Sequence, residues 1–166
     1  MVSSKVSKVA LLAVVALLST GSVAFANDMI ENTTFGEARS LRQEALSHSE
    51  VTAEIGSLAV DGDAQNNRAR GTVDYVYQSA QDGSSADLKV GSISARNAIR
   101  NDATGDVYGA VLQDAVRGSE VALEVGSITA ERDAVNNRAY GALEDVRQAA
   151  YEGSKATARV GSIGKR

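Results

Sequence analysis

The sequence predicts an all-β fold, a β-solenoid or stack of β-arches built from four 35-residue units. Similar residues recur every 35 positions along most of the chain. Apolar and polar residues alternate with a period of two around each recurrence, which is the periodicity of a strand. Gln, Asn and Ser also recur in fixed columns, and such side chains stack favourably when equivalent strands lie about 4.8 Å apart. A fixed period of this length indicates a stacked repeat array.

Residues 1–26 have the pattern of a secretory signal peptide. Two lysines precede the apolar run 9–18, and the small-residue motif 24–26 suits a signal peptidase. The apolar run is shorter than the ~20 residues that a membrane-spanning helix needs. We therefore expect export through the periplasm to the cell surface or beyond, with no membrane span after cleavage. Residues 27–166 then hold the tandem array as a single domain.

The clearest repeated motif is an apolar-Gly-Ser-apolar tetrad, which occurs four times at intervals of 35. We expect its glycines to form one corner of each coil, because glycine adopts positive φ without steric cost. These corner residues are Gly56, Gly91, Gly126 and Gly161. A second glycine column holds Gly36, Gly71 and Gly141. In the third copy it slips to Gly105, and the slip is compensated before Gln113.

Three polar columns are predicted to form stacking ladders. The amide column holds Asn32, Asn67 and Asn137, with Asp102 as its one substitution. The glutamine column holds Gln43, Gln78, Gln113 and Gln148. The serine column holds Ser49, Ser84, Ser119 and Ser154. Amides in register can hydrogen-bond along a stack, which gives every copy a reason to keep the same residue.

Changes in the phase of the alternation indicate how each unit bends. In the third copy, they fall at the Gly-Ser step, near Asn136, after Leu143 and near Gly153. Four segments of about nine residues would account for the period, with Gly, Asn and Ser at the corners.

The alternative is an α/β or α-helical repeat array. Ala139, Leu143, Val146 and Ala150 lie at helical spacing and would form one apolar face. That helix would point Gln148 towards solvent, where nothing requires glutamine in every copy. It would also place a glycine just inside its start, at a cost of up to about 1 kcal/mol. Both points favour the β-stack.

Composition excludes most catalytic and binding chemistry. The chain has no Cys, no Trp and one His, and no nucleophile–base pair, phosphate loop or zinc spacing is present. Without the two lysines of the signal region, 15 basic face 21 acidic residues, which argues against nucleic acid. The acidic turn 61–63 does not recur, unlike the ligands of a calcium solenoid. His48 is predicted to be an exposed residue at the end of the array. We expect no enzyme, no metal and no cofactor.

The repeats resemble those of secreted functional-amyloid subunits of bacteria, the curlin-type and Fap-type biofilm proteins. The segments 66–69 and 136–139, both Asn-Asn-Arg-Ala, resemble the Asn-x-Ala part of a curlin repeat. Gln78 and the turn 82–85 resemble its glutamine and Gly-Ser turn. The resemblance implies that the Asn and Gln columns are the stacking residues of a fibre.

These patterns predict an exported structural subunit that self-assembles by β-stacking into an extracellular fibre or biofilm matrix. Its expected partners are further copies of itself, with minor-subunit or secretion proteins as additional candidates. The alternative is a soluble periplasmic or cell-surface repeat module that binds a protein or a polysaccharide.

Overall fold

The computed structural model describes residues 29–165, which form a parallel β-solenoid of about four coils without any helix. The all-β prediction is confirmed. The predicted signal peptide, residues 1–26, lies outside the described residues. Since residues 29–165 contain no helix, none of them forms a helix that could cross a membrane.

Each coil passes through three parallel sheets. Sheet I contains the long strands β2 (Thr33–Leu46), β6 (Arg68–Gln81), β9 (Asp102–Val116) and β12 (Arg138–Tyr151). Sheet II contains the six-residue strands β3 (Glu50–Ile55), β7 (Ser85–Val90), β10 (Glu120–Val125) and β13 (Lys155–Val160). Sheet III contains β1 (Met29–Ile30), β4 (Leu58–Ala59), β5 (Asp63–Gln65), β8 (Ile93–Ile99), β11 (Ile128–Val135) and β14 (Ile163–Lys165).

We number the coils by their long strands. Coil 1 runs from β2 to β5, coil 2 from β6 to β8, coil 3 from β9 to β11, and coil 4 from β12 to β14. The short strand β1 precedes coil 1 and pairs with β5. Equivalent residues of successive coils are therefore direct neighbours, as the 35-residue period predicts.

The long strands contain two of the four predicted segments. In β2, inward and outward residues alternate until Arg39 and Ser40, which are both exposed, and the alternation then resumes on the other parity. In β12, the same step occurs at Glu144 and Asp145, after Leu143 as predicted. The chain stays extended through this step, so coils 2 to 4 have three strands of unequal length in place of four equal ones, and in coil 1 the third is divided into β4 and β5.

The interior is filled by columns of like residues. Leu88 stacks on Leu123 and Val73 on Val107, and all four are almost inaccessible to solvent. Burying one such side chain contributes about 1.5–3 kcal/mol to folding. Each of these side chains has its equivalents in the neighbouring coils as direct neighbours.

The helical alternative is wrong. Its four apolar residues, Ala139, Leu143, Val146 and Ala150, all lie in strand β12. The Gln column lies inside the solenoid, where Gln113 is 2% exposed. A helix would have placed that amide outside, whereas the period-two face brings it inward with the apolar residues.

The stacking departs from the strict period at one place. Ala95 pairs with Ala130, 35 positions later, but Asn97 pairs with Asp133, so coil 2 is one residue shorter there. Strand β9 regains that residue between Val107 and Val111, where its pairing with the neighbouring strands shifts. The slip of the glycine column and its compensation before Gln113 are therefore confirmed.

Candidate functional site

The asparagine column forms a ladder of hydrogen bonds that runs from each coil to the next. The backbone N–H of Asn32 donates to Oδ1 of Asn67 at 2.8 Å. The N–H of Asn67 donates to Oδ1 of Asn101 at 2.9 Å, and that of Asn101 to Oδ1 of Asn137 at 2.8 Å. Each Nδ2 also reaches a backbone carbonyl of sheet III, such as Ala64 for Asn101. A buried amide with all these partners fixes the register of its corner.

The assignment of Asp102 to this column is wrong. Asp102 begins strand β9, outside the ladder, and its neighbours in the register of sheet I are Arg68 and Arg138. Asn101 takes the ladder position because coil 2 lacks one residue just before it. An inward amide must find hydrogen-bond partners, so the side-chain chemistry overrides the strict spacing.

The glutamine ladder runs through the interior of sheet I. Nε2 of Gln78 donates to Oε1 of Gln43 at 3.0 Å, Gln113 donates to Gln78 at 3.0 Å, and Gln148 donates to Gln113 at 2.7 Å. Nε2 of Gln78 also donates to the carbonyls of Ala86 and Ala122 in sheet II. The ladder thus ties sheet I to sheet II across the core.

The serine ladder closes the turn between sheets I and II. The N–H of Ser49 donates to Oγ of Ser84, Ser84 donates to Ser119, and Ser119 donates to Ser154, at 3.1–3.2 Å. Two residues of positive φ precede each serine. In coil 1 they are Ser47 and His48, and His48 is exposed at this turn, as predicted. The three predicted ladders are therefore present as hydrogen-bonded columns.

A second serine ladder follows the corner glycines, and the sequence interpretation missed it. The N–H of Ser92 donates to Oγ of Ser57 at 3.0 Å, and that of Ser127 to Ser92 at 3.2 Å. Ser162 continues the column through its hydroxyl. The signal was present, because the serine of the tetrad recurs in all four copies as strictly as the glycine before it.

The predicted corner glycines have positive φ, and each faces a second glycine across the coil. Gly91 has φ of 57°, and its backbone lies against Gly71 of strand β6. A Cβ on Gly71 would lie 2.4 Å from the nitrogen of Gly91 and 2.3 Å from the oxygen of Ile55. Both glycine columns are therefore needed so that sheet I can approach this corner.

The ladders have a direction, and they end differently at the two ends of the solenoid. Coil 4 offers the N–H of Asn137 and Oε1 of Gln148, for which residues 29–165 contain no further ladder partner. Coil 1 offers the reciprocal groups, Oδ1 of Asn32 and Nε2 of Gln43. Ser154 at coil 4 donates its N–H within its own turn, to the carbonyl of Tyr151. The asparagine and glutamine ladders thus end in complementary groups, whereas the serine ladder is closed at coil 4 by this local hydrogen bond.

Large apolar side chains are exposed mainly on the end coils. Inward residues of coil 4 are partly or fully exposed, whereas most of their equivalents in coils 1 to 3 are buried. Of the exposed large hydrophobic residues, those at the N-terminal end are Ile30, Phe35 and Leu46, and those at the C-terminal end are Val135, Tyr140, Tyr151, Val160 and Ile163. Each end of the solenoid therefore presents apolar side chains, and at the C-terminal end they lie beside the edges of β12 and β13, which have no further strand within residues 29–165.

The outward face of sheet II carries charged columns beside an open groove of about 580 Å³. Nζ of Lys89 lies 3.3 Å from Oε1 of Glu54, and Arg159 lies 3.7 Å from Glu124. Asp87 lies two residues before Lys89, on the same outward face of β7. Its pKa is raised, mainly by burial and then by the nearby carboxylates of Glu120 and Glu50. The groove is mixed in charge, and the groups lining it are largely paired with one another.

The acidic turn at 61–63 contains an aspartate that is hydrogen-bonded to the next coil. Oδ1 of Asp63 accepts a hydrogen bond from Nδ2 of Asn97 at 2.7 Å. Within residues 29–165, no group of three acidic or histidine side chains is arranged to hold a metal ion. The absence of a metal, a cofactor and an enzymatic activity stays a prediction.

Comparison with protein-family models, with curated proteins and with solved structures finds no match to this chain. The function is therefore inferred from its own residues and geometry.

Proposed function

We propose that this chain is an exported structural subunit whose copies stack end to end, by β-pairing, into an extracellular fibre or matrix. The observation that carries the proposal is the match between the two ends of the solenoid. Continuing the coil-to-coil register past coil 4 places strand β2 of a second copy on β12. Asn137 then meets Asn32 and Gln148 meets Gln43, so these two ladders continue. Ser154 meets Ser49, and that ladder continues when the N–H of Ser154 exchanges the carbonyl of Tyr151 for Oγ of Ser49.

Sheet III fits the same continuation. Strand β14 pairs with the first part of β11, at Ile128 to Ala130. Strand β1 pairs with β5 at the position that Ala134 and Val135 occupy in coil 3. In a stack, β14 of one copy and β1 of the next would therefore both lie along β11, at different residues, and would not overlap.

The exposed apolar residues also match in this register. Val135 would lie beside Ile30 of the next copy, Tyr140 beside Phe35, and Tyr151 beside Leu46. Cross-strand pairs of aromatic and aliphatic residues stabilise sheets by about 0.2–1 kcal/mol each. Stacking would cover the surface that coil 4 now exposes.

The proposal requires coil 1 to be free on its N-terminal side, which the predicted cleavage after residue 26 would allow. The outward columns carry most of the charge, which keeps the sides of a stack hydrated and discourages lateral aggregation. The resemblance of the Asn and Gln columns to those of secreted functional-amyloid subunits supports the same proposal.

The test uses the chain expressed from its full coding sequence and purified in the form that the cell exports. Concentrated samples should form unbranched fibres with a meridional reflection near 4.8 Å. Ala150→Lys should prevent growth, because it places a charge in an inward column that is exposed at coil 4 and buried in coils 1 to 3. A stable wild-type monomer without fibres would overturn the proposal.

Ala149→Lys is the matched control. Ala149 is the neighbouring residue on the opposite, outward side of β12, so its lysine stays at the side of the stack. We expect this variant to form fibres like the wild type. Both variants should unfold as monomers at the same denaturant concentration, because Ala150 is exposed in coil 4. Equal fibre growth by Ala150→Lys would contradict the proposed register.

A soluble repeat module is the second candidate, and the groove on sheet II favours it. It would bind a protein or polysaccharide through side chains such as Thr52 and Asp87. This function predicts a monodisperse monomer at all concentrations. Substitutions in the groove should then abolish partner binding, while Ala150→Lys should have no effect.

A further inference from the structure

The outward face of sheet II bears a column in which the sign of the charge alternates from coil to coil. Its members, in pairing register, are Glu54, Lys89, Glu124 and Arg159. A second column contains Glu50, Ser85, Glu120 and Lys155, and Lys155 lies 3.6 Å from Glu120. Both columns begin with an acid at coil 1 and end with a base at coil 4. The two ends of sheet II therefore carry opposite charges.

The acidic end contains a carboxylate oxygen without a partner. Oε1 of Glu54 pairs with Lys89, and the Glu54 side chain is only 14% exposed. Its other oxygen, Oε2, is buried and has no hydrogen-bond partner within the described structure. A buried carboxylate oxygen left without a donor costs free energy. The carboxylate of Glu54, at the coil 1 end of its column, therefore has hydrogen-bonding capacity that Lys89 does not use.

We propose that these columns orient assembly, so that the Arg159 and Lys155 end of one copy joins the Glu54 and Glu50 end of the next. This inference rests on the stacking function proposed above. Arg159 has five N–H donors, so it can keep its contact with Glu124 and also approach the carboxylate of the next copy's Glu54. Lys155 would lie beside Glu50 in the neighbouring column. Each junction then continues the alternation of charge without a break.

The opposite orientations meet like charges. Joining two coil 4 ends would bring Lys155 and Arg159 against the same bases of the other copy. Joining two coil 1 ends would bring Glu50 and Glu54 together. Like charges placed opposite each other at an interface repel and disfavour the wrong pairing. The charges of sheet II therefore select a head-to-tail stack, which can grow without limit, over a closed dimer.

Sheet I contains one like-charge neighbour in this stack, since Arg147 would approach Arg42 of the next copy. Each of these arginines already pairs with an acid on its own strand, Asp145 and Glu44 respectively. Both arginines are also largely exposed, so solvent screens their repulsion. The half-buried column of sheet II is screened less and should dominate.

The test uses two charge-reversed variants of the exported chain. One carries Lys155→Glu with Arg159→Glu, and the other Glu50→Lys with Glu54→Lys. Each alone has two ends of the same sign, and its fibres should elongate at least about tenfold more slowly than the wild type at low salt. Mixed in equal amounts, the two should co-assemble at close to the wild-type rate, because each junction again joins opposite charges.

The mixture also controls for folding, because only folded variants can rescue each other. Circular dichroism of each variant should show the strand content of the wild type. If both variants elongate alone at the wild-type rate, or if both are folded but the mixture is as slow as each alone, the charge inference is overturned while the stacking function stands. If the wild type itself forms no fibres, the stacking function fails first.

Discussion

Oδ1 of Asn101 lies 2.9 Å from the backbone nitrogen of Asn67, one coil away. The same oxygen is 3.1 Å from Nδ2 of Asn67, and Nδ2 of Asn101 donates to the carbonyl of Ala64. Asn101 is 1% exposed, so these groups have no access to water. This one residue completes a ladder that the 35-residue spacing assigned to its neighbour, Asp102.

Asn101→Ala should lower the free energy of unfolding by about 3 kcal/mol, because it leaves a buried N–H and a buried carbonyl unpaired. Asp102→Ala is the matched control and should cost less than about 1 kcal/mol, since Asp102 is only partly buried. Urea unfolding of the soluble monomer measures both. Equal losses in the two variants would contradict the ladder assignment.

Gln78→Ala should cost about 2–3 kcal/mol in the monomer, because Gln78 is fully buried and the two N–H groups of its Nε2 are shared among three acceptors within 3.0 Å. Gln148→Ala, in the same column but exposed at coil 4, should cost below about 1 kcal/mol. The same denaturation measurement compares them. In a fibre-growth assay the order of the two variants should reverse. Gln148→Ala should slow elongation more than Gln78→Ala when each is compared with its own loss of monomer stability, because Gln148 lies at the end that receives the next copy.

Gly71→Ala should destabilise the monomer by about 3 kcal/mol or more, because its Cβ would overlap the backbone of Gly91 and Ile55. Gly164→Ala is the control, since a Cβ there meets no atom within 4 Å. Thermal unfolding followed by circular dichroism would show the difference. A tolerated alanine at Gly71 would mean that the two glycine columns do not approach as closely as described.

Asp87→Asn should stabilise the protein at neutral pH. Burial, then Glu120 and Glu50, raise the pKa of Asp87, so the folded state is penalised when this carboxyl is ionised. The penalty is absent below the unfolded pKa of about 3.9 and grows as the pH rises through the raised folded value. The stability gain of the variant should therefore shrink to nothing in acid. A gain that is equal at all pH values would show that the charge is not its cause.

The period of 35 and the alternation of two were enough to predict parallel stacking of like residues. Gln148 and Gly141 argued against a helix, and both lie in strand β12. The ladders followed from the recurrence of Asn, Gln and Ser. These features can be predicted from the sequence because a stack repeats the same local environment in every coil. A residue type that suits one position therefore recurs at the equivalent position of each coil.

The features that depend on contacts between distant segments were visible only in the folded structure. It places Asn101, and not Asp102, in the asparagine ladder. The reason is that coil 2 is one residue shorter after Ala95, which shifts the register until strand β9 regains that residue. It paired Gly71 with Gly91 across the coil, 20 residues apart, which no local pattern indicates. Among residues 29–165, it also left Oε2 of Glu54 without a hydrogen-bond partner at the end of sheet II. Spacing in the sequence counts positions, whereas register is set by which buried groups find partners and which backbones can approach.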